Sequence, residues 1–138
     1  MKQQPPPEAL PRIGTVEDPA YLCDGSTLHL AYEIAAADGG GHALLTFTGV
    51  VKFVQNPQTV EGTRNTHAYP ITPWGFTEVI DSEETTVWRS LTLRFWTISF
   101  NDQTLAITFK TARLAGTDAD ATSPQNALLR NIAKLDPT

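Results

Sequence analysis

A chain of 138 residues has room for one ordinary domain, and at that size it buries roughly two thirds of its unfolded surface, enough for a core without disulfide or metal staples. Apolar residues make up 41% and charged residues 18%, which excludes a disordered or fibrous chain. The formal charge of −5, with ten scattered Lys and Arg, opposes binding to nucleic acid or anionic membrane and suits a basic protein partner.

Cys23 is alone, so no intrachain disulfide and no CxxC zinc or redox pair can form, which fits a reducing compartment. The N-terminus lacks the apolar run of a secretory signal, and no stretch of roughly 18 apolar residues is present to span a bilayer. A cytoplasmic location is the expectation.

Residues 1–12 carry prolines at positions 5, 6, 7 and 11 and little apolar content, which predicts a flexible, solvated tail. No two of these prolines stand three apart, so the PxxP spacing of a groove-binding ligand is missing. Residues 13–138 form the single domain.

From Thr27 the chain alternates, with Leu28, Leu30, Tyr32 and Ile34 on a core face and His29, Ala31, Glu33 and Ala35 facing outward. Asp38-Gly39-Gly40-Gly41 then permits a turn, and a second strand runs from Ala43 to about Gln55, completing a hairpin. Leu45, Phe47, Val51 and Phe53 share a face of that strand, and Gly49 in the inward row marks a bulge or a close approach. Residues 56–75 are rich in Pro, Thr, Asn and Gly with no sustained period, a long loop of the kind that carries function. Phe76 to Ile80 reads as a short strand.

The most informative region is a hairpin from Arg89 to Leu114, turning at Asn101-Asp102. Pairing Phe100 with Gln103 sets Ile98 opposite Leu105, Trp96 opposite Ile107 and Arg94 opposite Phe109. Trp96, Ile98, Phe100, Leu105, Ile107 and Phe109 then share a core face. Thr97, Ser99, Thr104, Thr108 and Lys110 share the other, an available contact surface. After a linker over 116–120, Ser123 and Pro124 open a helix with Leu128, Leu129, Ile132 and Leu135 at helical spacing, placed to cover a sheet edge or face. The fold class is mainly β, bordering on α+β: antiparallel hairpins forming a twisted sheet, half-barrel or sandwich with one C-terminal amphipathic helix.

The segments Leu28-His29-Leu30-Ala31-Tyr32-Glu33-Ile34, Ala43 to Phe53 and Phe95 to Leu105 resemble a family of small uncharacterised bacterial β-rich proteins. The resemblance implies a bacterial source and nothing about chemistry.

Catalytic and metal signatures are missing. His29 and Glu33 on one strand face would stand about 13 Å apart, too far to share a metal, and His42 and His67 lie on other segments. Cys23, beside Asp24-Gly25, reads as a strand end, and no serine has a nucleophile-elbow frame. Asp81, Glu83 and Glu84 lack calcium-loop spacing and read as a solvated turn. Gly39-Gly40-Gly41 is no phosphate cradle, because no Lys-Ser/Thr and no helix follow. No cofactor, metal or catalytic residue is assigned. Arg64, His67, Tyr69 and Trp74 in the long loop combine amphipathic aromatics with a guanidinium, the composition of a binding hot spot. The expected function is a non-enzymatic interaction domain, for example an immunity-like protein. The alternative is a small-ligand binder with an apolar cavity lined by Trp96, Phe100, Phe47 and Phe53.

Overall fold

The computed structural model describes residues 2–57, 71–80 and 92–135. In chain order the strands are β1 (Gln3–Gln4), β2 (Ala20–Asp24), β3 (Thr27–Glu33), β4 (His42–Thr48), β5 (Lys52–Pro57), β6 (Phe76–Val79), β7 (Arg94–Ser99), β8 (Gln103–Phe109) and β9 (Thr111–Asp118). The helix α1 (Pro124–Leu135) follows. They form a five-stranded antiparallel sheet, β1-β6-β7-β8-β5, and a four-stranded one, β2-β3-β4-β9. Among the described residues no helix is long and apolar enough to cross a membrane.

The β7–β8 hairpin has the register that burial demands. Ile98 faces Leu105, Trp96 faces Ile107 and Arg94 faces Phe109, and Phe100 N–H donates to Gln103 C=O at 2.8 Å. Sliding either strand by one residue would turn its apolar row away from the core. The six inward residues are all buried, and they meet Leu28, Leu30, Tyr32, Leu45 and Phe47 from the other sheet. Trp96, Phe47 and Phe109 pack edge to face, with centroids 5.1 to 5.4 Å apart. Trp96, Phe47 and Phe100, expected as lining of an apolar cavity, are 0 to 1% exposed within this filled core, and Phe53 packs partly buried against it.

The opposite face of this hairpin is not the open contact surface its threonines suggest. Thr97 and Ser99 are 2% exposed and Thr108 is fully buried. Phe95 and Val79 are buried too, and both alternate with the inward-facing residues of their strands. The face therefore has an apolar layer of its own, which β-branched threonine suits.

The two sheets are joined by one bent ribbon. Residues 42–57 pair antiparallel with 103–118, but the partners change sheet midway: β4 pairs with β9 in one, β5 with β8 in the other. The strand expected from Ala43 to Gln55 is thus two strands, broken at Gly49. Gly49 has φ +64, and a Cβ there would lie 2.6 Å from Lys110 Cβ, so the crossing strands approach as closely as glycine allows. Three residues, 49–51, stand opposite two, 109–110, while Ala115 is the extra residue opposite Leu44/Leu45. The two insertions cancel, so the ribbon keeps its register through the corner. Residues 116–118, expected as linker, belong to β9.

Helix α1 begins as expected: Ser123 Oγ accepts from Asn126 N–H at 3.0 Å, and Pro124 occupies the first turn. Ala127 and Leu128 pack on Ala20, Ala31 and Leu44, covering the face of β3 that the alternation assigned to solvent. His29 on that face is 2% exposed. Leu129, expected in the buried stripe, is 75% exposed, and Ala127 takes its place because a small side chain lets the helix lie close to the sheet.

The proline-rich segment is extended, yet it is not detached from the domain. Gln3 and Gln4 pair with β6, Leu10 packs on the core, and Tyr32 Oη donates to Pro11 C=O at 2.8 Å. Arg12 forms an ion pair with Asp38, and Ile13 bridges Ile34.

Candidate functional site

Of the four loop residues expected to bind, Trp74 is described, and Arg64, His67 and Tyr69 lie outside the described residues. The acidic cluster Asp81, Glu83 and Glu84 also lies outside them. Trp74 is 45% exposed and has φ +45, a left-handed conformation that costs a non-glycine residue about 1–2 kcal/mol. The turn carrying it is tied to β6 by a 2.7 Å hydrogen bond between the hydroxyls of Thr72 and Thr77. A large aromatic is thus held half exposed on a backbone that would be more relaxed with glycine.

Beside Trp74 runs a slot of about 330 Å³. One wall is the N-terminal strap, with Pro5, Pro6, Leu10 and Pro11, and the other is Thr72, Trp74, Gly75 and Phe76. The prolines account for it. Continuing the β1–β6 ladder past Gln4 would set Pro5 opposite Thr77 and Pro6 opposite Phe76, and proline has no N–H to give. The ladder stops at Gln4, and the slot lies where the strap leaves the sheet edge.

A charged clamp pins the strap. Arg94 donates to both carboxylate oxygens of Glu8, at 2.7 and 2.9 Å, and to both of Glu78, at 2.6 and 3.0 Å. Glu78 also accepts from Trp96 Nε1 at 2.9 Å, and the guanidinium lies 5.5 Å from the Trp96 ring centroid. The hydrogen bonds from Arg94 hold the Glu8 carboxyl below its ordinary value. The clamp holds two carboxylates against one guanidinium, and its Glu8 lines the slot; Arg12, which also lines the slot, is paired with Asp38.

A second pocket, of about 350 Å³, opens between the 14–17 loop and the glycine turn. Glu33 Oε1 accepts from Val16 N–H and Glu17 N–H, at 2.9 and 3.2 Å, and Glu17 Oε1 stands 3.2 Å from His42 Nε2. The pairing of β3 with β4 sets Glu33 opposite His42, a juxtaposition that became visible only with the register. His42 Nδ1 and His29 Nδ1 are buried without hydrogen-bond partners. The described residues contain no group of three or more His, Cys, Asp or Glu able to hold a metal ion. Cys23 is free and exposed on β2, and partial burial raises its thiol pKa, the opposite of what a nucleophile needs.

Of the residues at the slot and its clamp, the sequence singled out Trp74 and not Glu8, Phe76 or Arg94, whose placement depends on β1 pairing with β6. Comparison with protein-family models, curated proteins and solved structures found no match to this chain.

Proposed function

We propose that this chain is a non-enzymatic protein-interaction domain, and that its partner docks in the slot beside Trp74. The observation that carries the reading is Trp74 itself, half exposed in a left-handed backbone conformation at the rim of a mostly apolar slot. Strain retained at an exposed aromatic points to use of that aromatic. The net charge of −5 and the negative clamp favour a basic partner, and an immunity-like protein neutralising a basic toxin is one such case. Capture from native lysate tests it. The wild type is expected to retain one stoichiometric partner that Trp74→Ala loses at an unchanged melting temperature. Capture of no partner, or of one indifferent to Trp74→Ala, counts against it.

A second reading, small-ligand binding, is favoured by the pocket holding Glu17, Glu33 and His42. Its two carboxylates suit a small cation such as an amine. Thermal-shift screening against amines tests it, with a concentration-dependent rise lost in Glu17→Gln as the expected result.

A further inference from the structure

Hydrogen bonds on the two sides of β6 show where its backbone points. Ser99 N–H donates to Gly75 C=O at 3.0 Å, so odd-numbered positions face β7. Ile80 N–H donates to Lys2 C=O at 3.0 Å, so even-numbered positions face β1. Gln4 is the partner of Glu78, and the next even position is Phe76. Its N–H and C=O point toward Pro6, which cannot donate, and among the described residues neither group has a backbone partner on that side. Phe76 lines the slot.

We infer that the slot binds an extended peptide segment of a basic partner by adding a short strand to the open edge of β6 at Phe76, with an apolar side chain stacked on Trp74. This rests on the proposal that partners dock at Trp74, and it specifies the mode. Strand addition draws affinity from main-chain bonds and specificity from alternate side chains. The paired peptide residue donates its N–H to Phe76 C=O and accepts from Phe76 N–H, so it is not proline. The next side chain along the segment points away from it, to the face that carries Thr77 and Val79. Lys or Arg in the flanks meets the carboxylate of Glu8, which lines the slot, within a clamp that has two carboxylates to one guanidinium, so binding weakens as salt rises. The slot's volume sits at the low end of the roughly 300–1,000 Å³ of ligand pockets, which limits the bound stretch to a few residues.

The test is selection of random linear peptides displayed against the immobilised full chain, followed by titration of dye-labelled synthetic winners by fluorescence polarisation. The expected winners carry basic flanks around a proline-free centre and lose binding in Trp74→Ala. N-methylation of the single paired amide, which leaves every side chain in place, weakens them by about tenfold, the equivalent of one hydrogen bond. Winners that need Trp74 but are proline-rich, or tolerate N-methylation at every central position, overturn strand addition while leaving the Trp74 slot as a docking site. Absence of any Trp74-dependent winner overturns both.

Discussion

Glu8 and Arg94, eighty-six residues apart in sequence, are joined by two hydrogen bonds of 2.7 and 2.9 Å, and this pair fastens the N-terminal strap across the end of the large sheet. Glu8→Gln is expected to cost about 1 kcal/mol, a modest figure because the pair is partly screened by solvent. Hydrogen exchange should quicken over residues 3–13. The pH dependence has a definite sign. Arg94 lowers the Glu8 pKa in the folded state, so the stabilisation is fully present above the unfolded value of about 4.3 and is lost as pH falls through the folded one. Urea denaturation of wild type and Glu8→Gln across that window should show a gap that closes on the acid side.

Gly49 tests the bent ribbon. Alanine there must adopt φ +64 and displace Lys110, whose Cβ would lie 2.6 Å away. Gly49→Ala is expected to lose roughly 1–3 kcal/mol, read from the denaturation midpoint. Gly25→Ala is the control. It shares the positive φ, at +62, but has nothing within 4 Å of the added carbon, so it should cost less.

Phe109 sits between Phe47 and Trp96 with both ring centroids 5.1 Å away. Phe109→Ala opens a cavity in a filled core and should cost roughly 3–5 kcal/mol by chemical denaturation. Its loss also removes one of the two rings under the Arg94 guanidinium, at 5.4 Å, so the strap should loosen with it.

Trp74 should separate stability from binding. Trp74→Gly relieves a left-handed non-glycine residue, against the greater unfolded-state entropy of glycine, and is expected to change stability by about 0 to +1 kcal/mol. The same substitution should abolish partner capture. A destabilised Trp74→Gly would mean that the indole serves packing.

The register of the hairpin around Asn101-Asp102 was legible because alternation, turn chemistry and burial all require it, but its expected extent to Leu114 was not, since residues 111–114 belong to β9 in the other sheet. Other features were not, each for a physical reason. Gly49 was legible as a bulge or close approach, but the change of sheet there was not, because it depends on β9 crossing to the other sheet, which no local pattern records. The burial of Thr97, Ser99 and Thr108 is a tertiary covering, although Phe95 on the same face was a signal that could have been weighed. Ala127 displaced Leu129 because close helix-to-sheet packing selects for size as well as hydropathy. At the candidate site Trp74 stood out by residue type. The open backbone of Phe76 did not, because it arises where Pro5 and Pro6 halt a ladder between segments more than seventy residues apart.

The open strand edge at Phe76 is tested most directly by amide hydrogen exchange of two neighbouring residues. In the free protein the Phe76 amide is expected to exchange quickly while that of Thr77, paired with Thr97 in β7, is protected. Adding a selected peptide should then protect Phe76 and leave Thr77 unchanged. Equal protection of both amides before any peptide is added would mean that the edge is already closed, and would contradict the account.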